Sequence, residues 1–254
     1  MVGYYRAVSR FYDLELAERG DEELWRRVGR AAAGRRILEL GAGSGRATAL
    51  LAAGGARFVL ALDLSPDMLA RARGRLAGRE NVGLVQADMR APPLRGEFDL
   101  IVAADDPFSH LIASADRQRA LTAAAELLAG GGRLILDALW LNRSELAARA
   151  GDGRAGERRV ADRAGREMRV REHWRCDPRS HRCRASYAYS LDGAEVEVAC
   201  FEARAWTAAE VRRRFAAAGL TIERWSGDYQ GGPWEEARSR RLVVEARRTS
   251  GPAL

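Results

Sequence analysis

A run of alternate glycines constrains this chain more than any other feature. Residues 37–46 read Ile-Leu-Glu-Leu-Gly-Ala-Gly-Ser-Gly-Arg, a short apolar strand that leads into Gly41, Gly43 and Gly45 and then into a helix-compatible stretch. Glycine has no Cβ and tolerates positive φ, so the chain can turn sharply there and bring its backbone close to a ligand. The helix that follows offers unpaired N–H groups at its positive end. The run therefore predicts a strand, loop and helix that hold a small molecule.

Short apolar runs alternate with amphipathic stretches from residue 36 to residue 139. This alternation is typical of βαβ units that build a parallel sheet. Strands are predicted at residues 36–40, 58–63, 82–86, 98–103 and 133–139, and helices at 46–53, 66–76 and 116–128. Ser65 and Pro66 supply an N-cap and a first helical residue. The glycine triplet 130–132 is expected to act as a stop before the fifth strand.

The pattern changes after residue 140, where apolar and polar residues alternate as in an antiparallel sheet with one solvated face. Turn signals at Ala164-Gly165, Asp177-Pro178 and Asp192-Gly193 divide the stretch between residues 158 and 205 into strands. The remaining predicted elements are helices at 142–150 and 207–218, strands at 220–225 and 241–247, and an aromatic-rich helical segment at 2–34.

Together these elements predict an α/β fold. We expect a Rossmann-like, seven-stranded mixed sheet whose last strand is antiparallel, with an antiparallel β subdomain inserted between strand five and the last helix. A length of 254 residues suits one such domain with an insertion. The predicted divisions are an N-terminal helical lid (1–34), a core (35–140 and 205–248), the β insertion (141–204) and a tail (249–254). The insertion is expected to cover the ligand cleft or to form the contact of a homodimer.

The charge pattern bears on possible partners. All 42 basic residues are arginine, they are interleaved with 35 acidic residues, and the net charge is +7. Interspersed charges of this kind are typical of a solvated surface and argue against nucleic acid as a partner. No stretch approaches the ~18 apolar residues of a membrane span, and the N-terminus lacks the apolar core of a signal peptide. We therefore expect a soluble, cytoplasmic protein that does not bind a membrane.

The cysteines and histidines bear on the redox compartment and on a possible metal site. Cys176, Cys183 and Cys200 cannot all pair within one chain, which fits a reducing compartment. His173, Cys176, His181 and Cys183 lie within eleven residues and are all of zinc-ligand type. However, the segment is predicted to be a hairpin, and strand residues an odd number apart, such as His173 and Cys176, face opposite sides. We expect no metal site.

Acidic residues stand at the ends of successive predicted strands. Asp63 ends the second strand, Asp88 follows the third beside Met89, and Asp105 follows the fourth. In an open parallel sheet, ligands bind outside the carboxyl ends of the strands near the switch point. A carboxylate at Asp63 can accept both hydroxyl hydrogens of a ribose, and one at Asp88 can accept an exocyclic amine. These positions predict a ligand that contains a nucleoside.

The block 37–139, with Glu39 two residues before the first glycine, resembles the cofactor-binding half of the class I S-adenosylmethionine (SAM) dependent methyltransferases. Within that family it resembles the small-molecule type, whose core is of the kind called methyltransferase domain 25 or 11. Arg46 stands where the dinucleotide fingerprint wants a third glycine or alanine. The resemblance implies SAM as cofactor and S-adenosylhomocysteine as product. The cofactor contacts that it implies are Tyr12, Glu39, Gly41, Ala42, Gly43, Asp63, Leu64, Met68, Asp88, Met89, Ala104 and Asp105.

Candidate catalytic residues follow the fourth strand. SAM brings its own leaving group, so the protein must align nucleophile, methyl carbon and sulfur, and take up a proton if the nucleophile carries one. His110 lies one short loop from the methyl group and is a candidate base; Asp106 and Tyr229 are further candidates. The loop at 105–108, Asp-Asp-Pro-Phe, is similar to the Asn/Asp-Pro-Pro-Tyr/Phe motif of methyltransferases that act on amines of bases or on glutamine, but Asp106 replaces its first proline.

The resemblance implies methyl transfer to an oxygen or nitrogen of a small-molecule acceptor, such as a sugar, an amino acid or a secondary metabolite. The loop at 227–234 is similar to one found in members that act on such acceptors. Three alternatives stay open. The chain could be a SAM-binding protein that transfers no methyl group (a cyclase, a decarboxylase or a binding module), an RNA or protein methyltransferase, or a nicotinamide enzyme, against which Arg46 argues.

Overall fold

The computed structural model describes residues 2–15, 20–161 and 167–249. Its helices are α1 (Val2–Glu15), α2 (Glu22–Ala31), α3 (Arg46–Ala53), α4 (Pro66–Arg75), α5 (Ser114–Leu127), α6 (Arg143–Ala148) and α7 (Ala208–Ala217), with a 3-10 turn at Pro107–His110. Its strands are β1 (Arg36–Leu40), β2 (Phe58–Asp63), β3 (Val82–Gln86), β4 (Phe98–Ala103), β5 (Leu128–Ala138), β6 (Arg154–Ala161), β7 (Glu167–Cys176), β8 (Arg182–Leu191), β9 (Ala194–Arg204), β10 (Leu220–Ser226) and β11 (Leu242–Arg248).

The core is a seven-stranded sheet with the order β10-β11-β5-β4-β1-β2-β3. Strands β1 to β5 pair in parallel, whereas β11 is antiparallel to both of its neighbours, β5 and β10. The predicted mixed sheet with an antiparallel last strand is therefore confirmed. The strand order reverses between β1 and β4, so the carboxyl ends of these two strands flank the crevice in which such sheets bind ligands.

Arg46, the residue at the third-glycine position, attaches α2 to the start of α3. Its two Nη atoms donate to the two carboxylate oxygens of Asp21 at 2.6 and 2.7 Å, and Trp25 Nε1 donates to the same carboxylate at 2.8 Å. Asp21 and Trp25 are both fully buried. Removing one partner of a buried pair leaves a charge without compensation, so this contact is costly to break. It therefore holds the helix that starts beside the glycine run in place.

The fifth strand begins earlier than predicted. Helix α5 ends at Leu127, and β5 starts directly at Leu128, which pairs with Phe98. The expected stop at residues 130–132 is wrong, because the glycines form an irregularity within the strand instead. Gly131 has a φ of +75°, and regular pairing resumes where Arg133 lies opposite Leu100.

The stretch between β5 and α7 forms a separate four-stranded antiparallel sheet with the order β6-β7-β8-β9. Helix α1 packs on one face of this sheet, where the Phe11 ring stacks on Tyr189 at 4.8 Å and Val8 is fully buried. The helical segment predicted at 2–34 is two helices where it is described; residues 16–19, the turn at Ala164-Gly165 and tail residues 250–254 lie outside the described residues. Helix α1 therefore packs with the inserted sheet in one apolar cluster.

Two of the three cysteines are paired. Cys176 and Cys183 lie directly opposite each other at the end of the β7–β8 hairpin and form a disulfide, while Cys200 is free and exposed. The structure thus differs from the expectation of reduced cysteines, because the hairpin turn places two positions seven residues apart directly opposite each other. His173 contacts the main-chain oxygen of Asp152, and the described residues contain no group of three metal-ligand side chains.

None of the helices in the described ranges is long and apolar enough to cross a membrane.

Candidate active site

A cavity of about 270 Å³ opens at the carboxyl ends of the central strands. Eight of the predicted cofactor residues line it: Tyr12, Gly41, Gly43, Asp63, Leu64, Asp88, Met89 and Asp105. The other four lie beneath this surface, because Glu39, Ala42, Met68 and Ala104 are buried and do not line the cavity. The strand-end residues that the sequence singled out thus converge on one site.

The glycine loop needs its glycines. Gly41 and Gly43 have φ values of +71° and +56°, which favour glycine. A Cβ on Gly41 would collide with Pro107, and one on Gly43 would lie 3.3 Å from Met68 Cε and 3.7 Å from the Tyr12 ring. Side chains at these positions would therefore crowd the residues that pack against the loop, and glycine keeps the loop in this shape at the cavity wall.

Asp63 holds the loops on both sides of the cavity. Its Oδ2 accepts the Gly43 N–H and its Oδ1 accepts the Ser65 N–H, both at 2.8 Å. Burial raises the pKa of Asp63 above its ordinary value, and the N–H donors oppose that rise. A carboxylate has about four lone-pair sites, and the N–H groups of Gly43, Leu64 and Ser65 take up to three of them, so capacity remains for a hydroxyl donor of a ligand. The geometry fits the ribose contact that the sequence predicts.

Asp88 lies at another part of the same cavity and is engaged differently. Its carboxylate accepts N–H groups from both the main chain and the side chain of Arg90. Met89 also lines the cavity, with its Cε 3.5 Å from where a Cβ of Gly41 would stand. The predicted pair of a carboxylate and an apolar side chain for a purine is therefore present, and Arg90 is an additional cavity residue that sequence reasoning missed.

Glu39 is buried below the glycine loop. Thr48 Oγ1 donates a hydrogen bond to its carboxylate, and only 1% of the residue is exposed. Burial raises the pKa of Glu39 to about 7, although the Thr48 hydroxyl and the nearby Arg46 guanidinium oppose the shift. Glu39 therefore places a carboxyl group with a pKa near neutral pH beneath the loop, although it does not line the cavity itself.

A second cavity, of about 400 Å³, adjoins the first. Four residues line both: Tyr5, Tyr12, Asp105 and His110. Helix α1, the loop after β5 and the inserted sheet supply its aromatic lining, which consists of Tyr4, Trp140, Trp174, Tyr187 and Phe201. Its charged lining consists of Asp106, Glu145, Glu172, Arg149, Arg240 and Arg241. The inserted sheet therefore forms a wall of a cavity next to the cofactor cavity.

His110 stands at the junction of the two cavities. The Tyr5 hydroxyl lies 2.8 Å from His110 Nε2, and the two rings meet edge to face. Burial lowers the pKa of His110 to about 4, which contact with the main-chain oxygen of Glu202 only partly offsets. The ring is therefore neutral at physiological pH and is a weak base. Tyr5 was missed by sequence reasoning; its signal was an N-terminal segment rich in aromatic residues.

Asp105 and Asp106 have an unusual backbone. Both have a φ of +61°, a conformation that costs a non-glycine residue of order 1–3 kcal/mol and that concentrates at functional sites. Tyr12 donates a hydrogen bond to Asp105 Oδ2 at 3.3 Å, and Asp106 forms an ion pair with Arg241 at 3.5 Å. The turn brings both acidic side chains to the second cavity.

The segment after His110 is attached to the inserted sheet by buried charges. Arg117, which is fully buried, donates to the main-chain oxygen of Leu111 at 3.0 Å and pairs with Glu210 at 3.3 Å. Arg204 of β9 donates to the oxygen of Ile112 at 3.3 Å and pairs with the same glutamate at 3.0 Å. The position of His110 thus depends on both the core and the insertion.

Tyr229, a candidate catalytic residue, lines neither cavity. Its hydroxyl donates to Asp137 at 3.0 Å in a buried site, and Asp137 in turn accepts the N–H of Asp105 at 3.3 Å. Burial and the Asp137 charge raise the pKa of Tyr229 well above its ordinary value. The structure places Tyr229 behind the turn at Asp105, where it supports that turn.

Comparison with known proteins agrees with this geometry. A family model described as "Methyltransferase domain" matches residues 37–132. A demethylmenaquinone methyltransferase of Clavibacter sepedonicus is 37% identical over 141 residues, which are 51% of this chain and 54% of that protein, so the match spans about half of that relative. A cypemycin N-terminal methyltransferase of Streptomyces is 29% identical over 83% of this chain and 82% of its own length.

A solved structure extends the likeness to nearly the whole chain. The SAM-bound amino pentose methyltransferase of Micromonospora echinaspora is 26% identical, with a TM-score of 0.71, over 94% of this chain and 96% of the other. The likeness therefore includes both the core and the inserted sheet.

Proposed function

Because the chain belongs to the class I SAM-dependent methyltransferases, we propose that it transfers a methyl group from SAM to an amine nitrogen of a small molecule. One observation carries this proposal. The first cavity, which contains the residues predicted to bind a nucleoside, and the second, aromatic cavity share four lining residues: Tyr5, Tyr12, Asp105 and His110. The first would hold the cofactor and the second the acceptor. The inserted sheet, together with α1, would then act as the lid of the acceptor cavity.

The cofactor half fits SAM by its donors and acceptors. Asp63 would accept a hydrogen bond from the ribose, and Asp88 and Met89 would offer a carboxylate and an apolar side chain to the adenine. Gly41 and Gly43 line the same cavity, where they would meet the methionine part. When bound, SAM supplies an electrophilic methyl group on a sulfonium. The protein's part is to hold the acceptor in line with that group.

The junction residues favour nitrogen over oxygen as the acceptor atom. A neutral amine attacks through its lone pair and becomes positively charged, so aromatic faces and the Asp105 carboxylate stabilise the transition state. A hydroxyl acceptor needs a proton acceptor of suitable strength, and burial lowers the pKa of His110 to about 4. Two of the similar proteins are, by name, an amino pentose methyltransferase and a cypemycin N-terminal methyltransferase, which supports the same choice.

The test has two steps. Calorimetry with S-adenosylhomocysteine, and with NAD as the control ligand, should give micromolar binding for the first and none for the second. Matched pairs of acceptors, an amino sugar and the same sugar with a hydroxyl in place of the amine, should then be incubated with SAM. We expect methylated product, detected by mass, from the amine alone. Methylation of the hydroxyl partner would overturn the choice of nitrogen, and binding of SAM without transfer to any acceptor would indicate a binding protein.

A further inference from the structure

We propose that Arg90 is a specificity-determining residue of the cofactor cavity, which holds the Asp88 carboxylate in the orientation that recognises a 6-amino purine. This inference rests on the proposed function, because it takes the adenosine part of SAM as the ligand. Arg90 lines the same cavity as Asp88 and Met89. Nothing in the glycine motif or in the strand pattern points to it.

The contacts between Arg90 and Asp88 occupy most of the carboxylate. Arg90 Nε lies 3.0 Å from Oδ1 and 2.9 Å from Oδ2, Nη2 donates to Oδ2 at 2.5 Å, and the Arg90 main-chain N–H donates to Oδ1 at 2.9 Å. A carboxylate offers about four lone-pair sites, so little acceptor capacity remains and its direction is fixed. A ligand donor must therefore approach from the edge that Arg90 leaves open.

The guanidinium of Arg90 also contacts a second carboxylate of the cavity lining. Arg90 Nη1 donates to Asp116 Oδ2 at 2.8 Å, and Asp116, in the first turn of α5, also lines the cavity. Asp88, Arg90 and Asp116 thus form a bridge from the loop after β3 to α5. Arg119 also pairs with Asp116, at 2.5 Å, but does not line the cavity. The chain therefore contains one arginine inside this bridge and a comparable one outside it.

The bridge gives the cavity a preference for one purine. The Arg90 side chain lowers the pKa of Asp88 and keeps it ionised, so it can only accept a hydrogen bond. A 6-amino group donates to it, whereas a 6-oxo group faces it with an acceptor. The 6-oxo purine still has a donor, but on ring atom N1, so a carboxylate held in one direction meets the oxygen and not the N–H. A site built to pair with a donor discriminates strongly against an analogue that lacks it. Without Arg90, Asp88 could rotate away and the discrimination would fall.

The experiment compares two ligands across matched variants by calorimetry. The ligands are S-adenosylhomocysteine and its inosine counterpart, which carries an oxygen in place of the 6-amino group. We expect the parent protein to prefer the adenosine ligand by at least ~50-fold, as a site that pairs with a ligand hydrogen-bond donor should. Arg90→Met should weaken the adenosine ligand about tenfold and leave the inosine ligand nearly unchanged, since one well-placed charged hydrogen bond is worth about that much.

Three further variants make the result decisive. Arg90→Lys restores the charge but not the planar fork, and should recover only part of the discrimination. Asp116→Asn should lower it two- to threefold, and this variant tests the bridge even if Arg90→Met were unstable. Arg119→Gln removes only the partner of Asp116 that lies outside the cavity, so as the matched control it should change the preference by less than Asp116→Asn does. Thermal unfolding without ligand verifies that each variant is folded.

Each other outcome contradicts the inference in a distinguishable way. If Arg90→Met weakened both ligands equally, Arg90 would support the fold of the cavity and not its specificity. If it tightened S-adenosylhomocysteine, Arg90 would compete with the adenine for Asp88. If the parent protein bound neither ligand, the proposed function itself would fail, and the inference with it.

Discussion

The two cavities of this protein are built in opposite ways. The cofactor cavity is formed by main-chain turns and side chains at the ends of consecutive strands, and apart from two tyrosines of α1 its lining lies between residues 41 and 116. The proposed acceptor cavity draws its lining from α1, from the turns after β4 and β5, from the α6 region, from three strands of the inserted sheet and from residues 240–241. One is therefore a property of a local strand and loop pattern, and the other exists only when distant elements pack together.

The two regions also treat charge differently. The core buries carboxyl groups with specific partners, as at Glu39 beside Thr48 and Asp21 beside Arg46. The ion pairs between strands of the inserted sheet stay in contact with water; in the Arg171 and Glu195 pair, about half of each side chain is exposed. The largely buried Arg204 and Glu210 pair instead joins this sheet to the core. Exposed pairs contribute little to stability, whereas buried groups are costly to disturb. Substitutions should therefore affect ligand binding and stability in the core, and acceptor use in the insertion.

The largest expected effect is a loss of ligand binding in the cofactor cavity alone. Asp63→Ala removes the proposed hydrogen-bond acceptor for the ribose and leaves the Gly43 and Ser65 N–H groups without their partner. Loss of two charge-assisted hydrogen bonds at about 1.5–3 kcal/mol each predicts a Kd for S-adenosylhomocysteine at least ~100-fold higher by calorimetry. Asp67→Ala, on the first turn of α4 and outside the cavity, should stay within about twofold of the parent. Unchanged binding in Asp63→Ala would show that the ribose assignment is wrong.

A smaller effect concerns pH. Burial raises the pKa of Glu39 to about 7 from 4.5, so folding favours its protonated form. Its contribution to stability is fully present below pH 4.5 and is lost as pH rises through about 7. Glu39→Gln stays neutral at every pH. The variant should therefore gain about 3 kcal/mol relative to the parent between pH 4.5 and pH 8, since one pKa unit corresponds to about 1.4 kcal/mol.

Urea unfolding of the cofactor-free protein measures this difference. Glu172→Gln in the inserted sheet is the matched control, because that carboxylate remains partly exposed beside Arg158 and should show no such gain. Equal pH dependence for Glu39→Gln and the parent would mean that Glu39 does not titrate as its burial indicates.

The smallest of the three effects should appear only in the acceptor half. The Phe201 ring lines the acceptor cavity. Its centroid lies 4.7 Å from the centroid of the Tyr4 ring and 5.3 Å from that of the His110 ring. Phe201→Ala should raise the KM for an amine acceptor about tenfold, because an aromatic pair contributes of order 1 kcal/mol beyond its buried area. The Kd for S-adenosylhomocysteine should stay within about twofold of the parent.

Val198→Ala on the same strand is the control for Phe201, because Val198 is 52% exposed and does not line the cavity. It should leave both constants as in the parent. A large change in cofactor binding by Phe201→Ala would indicate that the two cavities are not separable, and a parental KM would remove Phe201 from the acceptor site.

Much of the cofactor half was predictable from the sequence for a simple reason. Parallel strands put their carboxyl ends on one edge, so Asp63, Asp88 and Asp105 had to converge once the strands were recognised. Gly41 and Gly43 reported a backbone shape directly, because few other residues adopt it. The extra start of β5 was missed because three glycines look like a helix stop unless the partner strand is known.

Side-chain partners were decided by packing and could not be derived from spacing. Arg90 folds back on Asp88 and crosses to Asp116, Tyr5 reaches His110 from the far end of the chain, and Cys176 meets Cys183 only in the folded hairpin. The Arg90 contacts depend on how the loop after β3 meets α5, the Tyr5 contact on how α1 packs, and the disulfide on the register of one hairpin. The strand and glycine pattern thus specified the sheet and the cofactor site through backbone geometry, whereas the acceptor cavity arose from long-range packing that no local pattern encodes.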